Sequence, residues 1–208
     1  MRNLTGPIVL ASCNPGKLRE YHAMSSSEDS SYAAVSLELF PGFAALPPFD
    51  ESAPTFAENA AGKALHYSRF TERPVLADDS GLVVTALGGA PGVHSARYAG
   101  PGASDAERIA KLLDELRATQ TSDRSARFVC VIALAEHGQM IGVVSDAVEG
   151  IIVDAPKGQD GFGYDPVFFL PELGKTFAEI PREQKNFYSH RGKAFRRLLR
   201  FLAAAAVV

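Results

Sequence analysis

The sequence predicts an α/β fold with a mixed central sheet flanked by helices, and three observations carry that expectation. Short apolar runs alternate with helical stretches in the first half, a hairpin pattern follows, and a helix closes the chain. No internal repeat interrupts this order.

The first element is a short buried strand over residues 6–12 (GPIVLAS), and the CNPGK after it is turn chemistry leading into a helix that begins near Lys17. The polar run SSSEDSS, residues 25–31, has nothing to bury and reads as a surface loop. Residues 55–70 (TFAENAAGKALHYSRF) read as an Ala-rich helix with Thr55 at its N-cap and Glu58 completing a capping box. Pro74 stops that helix. VLADDSG follows as a strand and its end, with Ser80-Gly81 turning the chain; LVVTAL continues the apolar pattern before a Gly-rich turn at GGAPG. Residues 104–117 (SDAERIAKLLDELR) form an amphipathic helix with a second capping box, Ser104 and Glu107. Residues 126–135 and 140–148 are strands joined across EHGQ, and residues 192–205 are the last helix, basic first and apolar later.

The bulk properties exclude several classes. With 46% hydrophobic and 22% charged residues among 208, the chain has the composition of a globular protein with a sizeable core. One domain, or two closely joined lobes, is expected. A net charge of -3 and a pI near 6.0 argue against a nucleic-acid-coating surface. The two cysteines, Cys13 and Cys130, are far apart and form neither a disulfide framework nor a zinc spacing. The apolar run near the N-terminus is too short for a signal peptide, and no stretch approaches the roughly 20 apolar residues that span a bilayer. A cytoplasmic protein is the expectation.

Five stretches carry chemistry. SCNPGK (Ser12, Cys13, Asn14, Pro15, Gly16, Lys17) sits between strand and helix, where unpaired amides and a lysine suit phosphate oxygens, although an ordinary turn explains it equally well. Its spacing is not that of a P-loop. In the second stretch, residues 50–63, Lys63 suits either solvent or a phosphate, and Glu51 either an exposed loop or a metal near the helix start. The third is Asp78-Asp79, either turn residues or a carboxylate pair for a divalent cation or a proton from water. In the fourth, GFGYDP, Phe162 or Tyr164 can stack on a base and Asp165 can accept ring N–H groups; aromatics tucked into the core are the plainer reading. The fifth, KNFYSHR, gathers Lys185, Ser189, His190 and Arg191, donors suited to an anion or a base carbonyl. A basic helix start opposes the helix dipole, which calls for a compensating anion.

Taken together and in order, ASCNPGK, ESAPTFAENAAGKA, ADDSGLVVTALGGAPGVHSARYAG, GFGYDPVFF and SHRGKA resemble the Ham1 family of inosine/xanthosine triphosphate pyrophosphatases, from about residue 8 to about residue 199. The resemblance implies an ITPase-like fold whose two lobes hold the nucleotide in a cleft, and hydrolysis of ITP, dITP and XTP to monophosphate and pyrophosphate with Mg²⁺. It also implies a homodimer and a role in cleansing the nucleotide pool. By motif match, Ser12 to Lys17 hold the phosphates with Lys63 assisting, Glu51 and Asp79 serve the metal, Asp79 is the proton acceptor, and Ser80 contacts substrate. Phe162, Gly163, Tyr164 and Asp165 frame the base, and Lys185, His190 and Arg191 complete its recognition. Donors facing the 6-oxo group of hypoxanthine or xanthine would leave an adenine amino group unpaired. The chain departs from the family pattern at Ser52-Ala53, where Thr-Gly is usual, and at Ser12-Cys13, where Gly usually follows the hydroxyl residue; the SSSEDSS run reads as an insertion. A pyrimidine-nucleotide pyrophosphatase like the Maf-like proteins and a nucleotide sensor without turnover are the alternatives.

Overall fold

The computed structural model describes residues 7–25 and 35–206, so most of the expected surface loop at residues 25–31 lies outside the described residues. Among the described residues seven strands form one mixed sheet: β1 (Ile8–Leu10), β2 (Leu37–Leu39), β3 (Val75–Val84), β4 (Ser125–Glu136), β5 (Gln139–Ile152), β6 (Phe168–Leu170) and β7 (Lys175–Thr176), in the order β2-β1-β3-β4-β5-β6-β7. β1 runs parallel to both β2 and β3, with Val9 opposite Glu38 and Val75. β6 is antiparallel to β5 and β7. The helices are α1 (Pro15–Ser25), α2 (Phe56–Tyr67), α3 (Asp105–Ala118), α4 (Arg182–Tyr188) and α5 (His190–Ala206).

The chain divides into two compact units, each with its own core. The first takes the described residues up to Asp79, then Cys130–Asp146, and α5 from Arg191 onward. Its core joins Ile8 and Leu10 of β1, Leu76 of β3, Ile132 and Leu134 of β4, and Phe195 of α5. The second unit comprises Ser80–Val129 and Ala147–His190. There Leu82, Leu112 and Leu116 pack with an aromatic group, Phe128, Phe168 and Phe177, whose ring centroids lie 4.6 to 6.0 Å apart.

Local chemistry explains the element boundaries. In α3 the Ser104 hydroxyl accepts the Glu107 amide at 3.2 Å and the Glu107 carboxylate accepts the Ser104 amide at 2.7 Å, a complete capping box. Ile109, Leu112, Leu113 and Leu116 then form the single apolar face that the helical period dictates, and truncating Leu112 to Ala would cost about 2–5 kcal/mol. In α2 the box is half made: Thr55 accepts the Glu58 amide at 3.1 Å, but the Glu58 carboxylate takes the Thr55 hydroxyl.

Three boundaries differ from the sequence-based expectation. α1 starts at Pro15, two residues early, because the Asn14 side chain caps it and proline is well suited to the first helical position. β3 does not end at Asp78-Asp79, nor does the chain turn at Ser80-Gly81; the strand continues to Val84 and turns through Thr85–Leu87 and Gly88, whose φ is 61°. Leu82 and Val84 are fully buried, so core packing on both sides of the carboxylates overrides the turn preference of Asp, Ser and Gly. α5 starts at His190, placing the SHR residues at a helix start after the short helix α4.

Candidate active site

In the first unit the site is built on the β1–α1 turn, the start of α2 and the middle of β3. The Asn14 carboxamide oxygen accepts the amides of Gly16 and Lys17 at 2.9 and 3.2 Å, and the Asn14 amide donates to the Ser12 hydroxyl. Two of the amides expected to face a phosphate are thus spent on the cap. The charge at this turn comes from Lys17, whose Nζ lies 2.8 Å from Oδ2 of Asp78. Cys13 is exposed in the same turn.

Asp78 is the hub of a buried ion cluster. Burial alone would raise its pKa, but Lys17, Arg191 and Lys63 together outweigh burial and hold the carboxyl below its ordinary value. Arg191 Nε lies 3.6 Å from the same Asp78 oxygen, while its Nη1 forms a short ion pair with Glu20 of α1. The Arg191 guanidinium is fully buried, and although burial opposes its charge, Glu20 and Asp78 push its pKa up. The anion that the basic helix start called for is therefore internal: two carboxylates of the same unit.

Asp79, one residue along the strand, has different company. Asn59, fully buried on α2, donates through Nδ2 to Asp79 Oδ2 at 3.0 Å, and is itself fixed by the backbone of Ala53, whose amide it accepts at 3.0 Å and whose carbonyl it bonds at 3.3 Å. Burial raises the Asp79 pKa; the Asn59 bond, Lys17 and Lys63 pull against it, Glu51 adds to it, and the net is upward. Lys63 is four residues, one turn, beyond Asn59, so both side chains leave the same face of α2. Its ammonium sits 2.7 Å from Glu51. Burial would lower the Lys63 pKa, yet Asp78, Glu51 and Asp79 raise it, keeping the ammonium charged.

In the second unit the GFGYDP stretch is an organised loop. Asp165 Oδ2 accepts the Phe162 amide at 2.8 Å and the Lys185 ammonium at 2.5 Å. A side chain at Gly161, φ 80°, would collide with that carboxylate, so glycine is required there. Lys185 also lies 4.8 Å from the centre of the Phe162 ring, a cation–π contact. Tyr164 is buried, with its hydroxyl donating to the Ser95 carbonyl at 2.9 Å, so Phe162 is the half-buried aromatic of the loop and Tyr164 belongs to the core. His190 stacks on Phe128, 4.7 Å between centroids and 10° from parallel. Ser80 is half-buried on β3.

The structure thus brings Lys17, Glu51, Lys63 and Asp79 into one electrostatic cluster with Asp78 and Arg191, and gathers Phe162, Asp165 and Lys185 into another. Sequence reasoning missed Asn59 and Glu20. Asn59 left a signal: a poor helix former on an Ala-rich face, one turn before Lys63. Glu20 left none.

The donor set suits a hard divalent cation. Magnesium is held by one or two carboxylates together with waters and substrate phosphates, not by a complete protein cage, and Glu51 and Asp79 offer that pair of hard oxygen donors. Glu51 is the smallest of the influences on the Asp79 pKa and, as a like charge, raises it.

The Ham1 family model matches residues 8–201. A dITP/XTP pyrophosphatase of Geobacillus kaustophilus is 51% identical over 191 residues, covering 92% of this chain and 91% of the relative, and one of Thermus thermophilus is 49% identical over 192 residues, covering 92% and 89%. Among solved structures, a HAM1 protein from Coxiella burnetii superposes with a TM-score of 0.82 at 43% identity, over 95% of this chain and 98% of that one. The Staphylococcus aureus Ham1 protein gives 0.82 at 39% identity, over 96% and 100%. The chain belongs to the Ham1 family.

Proposed function

We propose that this protein is a nucleoside triphosphate pyrophosphatase that takes inosine and xanthosine nucleotides, ITP, dITP and XTP, and cleaves the α–β phosphoanhydride bond to give monophosphate and pyrophosphate. The observation that supports it best is Asp79: a buried carboxylate with a raised pKa, oriented by Asn59 and set beside the Lys63–Glu51 pair. The relatives named dITP/XTP pyrophosphatases support the substrate class.

In the reaction Asp79 orients a water molecule and accepts its proton as the water oxygen bonds to phosphorus and pyrophosphate departs. Asn59 holds the plane of the accepting carboxylate, so its angle to the water is set before substrate arrives. Lys17 and Lys63 offset charge on the phosphate oxygens. Glu51 and Asp79 would hold Mg²⁺, which supplies further charge neutralisation on the triphosphate. For the base, the half-buried Phe162 ring offers a stacking face, and the Lys185 and His190 donors suit a 6-oxo group over an adenine amino group.

The protein has the role of clearing deaminated purine nucleotides from the cytoplasmic pool, and works as a homodimer. No helix among the described residues is long and apolar enough to cross a membrane. The test is pyrophosphate release by the purified protein with Mg²⁺ across ITP, dITP, XTP, GTP, ATP and a pyrimidine panel. Preference for ITP, dITP and XTP is expected; preference for ATP or for a modified pyrimidine would overturn the specificity, and nucleotide binding without turnover would make it a sensor. Sedimentation velocity decides the dimer.

A further inference from the structure

The GFGYDP loop carries two glycines with positive φ, Gly161 at 80° and Gly163 at 63°, on either side of Phe162. Glycine loses more conformational freedom on ordering than any other residue, so a ring flanked by two glycines has a fixed direction only if the backbone beside it is tied. Both sides are tied, by different carboxylates. Asp165, within the loop, accepts the Phe162 amide at 2.8 Å. Asp105, the first residue of α3 and 58 positions away, accepts the Gly163 amide at 2.6 Å through Oδ2.

Asp105 is itself oriented. Its other oxygen, Oδ1, pairs with Arg108 one turn along α3. Arg108 in turn donates to the carbonyl oxygens of Ala96 at 2.8 Å and Ala103 at 2.7 Å, so the guanidinium is anchored to the backbone that precedes the helix. Below the loop, Tyr164 donates to the Ser95 carbonyl, and the Ser95 hydroxyl accepts the Leu82 amide at 2.9 Å, linking the same segment to β3.

We infer that Asp105 is a positioning residue for purine recognition: by accepting the Gly163 amide it fixes the backbone C-terminal to Phe162, and with Asp165 it sets the direction of the ring before the nucleotide binds. The inference rests on the proposed reading of Phe162 as a base contact. α3, an amphipathic helix whose sequence suggests only a structural element, thereby gains a second task at its N-terminus.

Asp105→Ala and Asp105→Asn separate the acceptor from its charge, since both remove the charge at the helix start and only the second keeps a side-chain oxygen in place. For ITP, Asp105→Ala is expected to raise KM by about tenfold with kcat within about threefold of the parent, the scale of one charge-assisted hydrogen bond. Asp105→Asn is expected to restore most of that KM. A readout independent of turnover is the Gly163 amide in a ¹⁵N-resolved spectrum: in the alanine variant its proton moves upfield and exchanges faster, and in the asparagine variant it stays near the parent position. An unchanged Gly163 amide in Asp105→Ala, or equal losses in kcat and KM for both variants, overturns the inference. If the parent protein releases no pyrophosphate from any purine triphosphate, the proposed activity fails while the Gly163 amide still decides whether Asp105 holds the loop.

Discussion

Asp78 and Asp79 are consecutive on β3, point to opposite sides of the strand, and have acidities driven in opposite directions. Both are buried, so burial raises both pKa values. What separates them is company: Lys17 and Lys63 act on both, but Asp78 pairs directly with Lys17, also faces Arg191 and stays ionised as an ion-pair hub, whereas Asp79 has a neutral amide donor, Asn59, and a like charge, Glu51, nearby. A pair of carboxylates with acidities pushed apart by their surroundings is how one site assigns different roles to identical groups. The raised member is the one suited to take a proton.

Asp79→Asn is therefore expected to reduce kcat on ITP by on the order of a hundredfold or more, while nucleotide binding in the presence of Mg²⁺ persists. Steady-state kinetics with isothermal titration of the nucleotide check both halves. A variant that keeps its rate removes Asp79 from the base role.

Asn59→Ala tests the orientation of that base. Losing the Nδ2–H bond withdraws one of the influences that lower the Asp79 pKa, so the pKa rises further. Because the ionised carboxylate accepts the proton, the acid limb of the kcat profile moves to higher pH, and kcat on the plateau falls by roughly tenfold. A profile that stays in place would falsify the orienting role.

Much of this was legible in the chain and the remainder has physical reasons. The SCNPGK turn, Lys63, Glu51 and Asp79 stood out through the motif resemblance, and Lys63 and Asp79 also because a charge there interrupts an Ala-rich or apolar stretch. The mixed sheet followed from the alternation of short apolar runs with capped helices. β3 was misread at Ser80-Gly81 because local turn preference is visible in sequence and the burial of Leu82 and Val84 is not. Tyr164 and Phe162 were indistinguishable as base platforms, since nothing local tells which ring enters the core. Glu20 was invisible because its partner, Arg191, is 171 residues away.

That distant pair should matter for stability in a way that surface pairs do not. Glu20→Gln leaves the Arg191 guanidinium buried with one fewer counter-charge, and breaking a buried pair costs about 3–5 kcal/mol. Glu38→Gln removes the carboxylate facing Arg73, but both partners there are more than 40% exposed and the loss should stay within about 1 kcal/mol. Urea unfolding of the two variants measures the contrast; equal midpoints would mean that the Glu20–Arg191 pair adds nothing to the fold.

Glu51→Gln addresses the metal. The substitution keeps the size of the side chain and removes its charge, so the Mg²⁺ concentration for half-maximal rate should rise by about tenfold, with much of kcat recovered at saturating metal. A Mg²⁺ titration of ITP hydrolysis reads it directly. An unchanged midpoint with a lower plateau would instead assign Glu51 to holding Lys63.

The opposite shifts of the two aspartates also predict opposite effects on stability against pH in metal-free protein. Asp78 has a folded pKa below its ordinary 3.8, so it binds fewer protons folded than unfolded; its stabilisation is present above that value and is lost as pH falls through the lower folded value. Asp79 has a folded pKa above 3.8, so its carboxylate destabilises the fold increasingly as pH rises through the interval between the two values, and the full cost remains at neutral pH. Asp78→Asn should accordingly lower Tm at pH 7, by roughly 10 °C if an ion of the buried cluster is lost at about 3 kcal/mol or more. Asp79→Asn should raise Tm at pH 7, and the gain should shrink as the pH falls through the raised folded value, where the parent carboxyl takes up its proton. Thermal melts of both variants between pH 3 and pH 8 in chelator measure the two signs side by side. Parallel curves for the two variants would show that the neighbours share one environment and that the division of labour between them is absent.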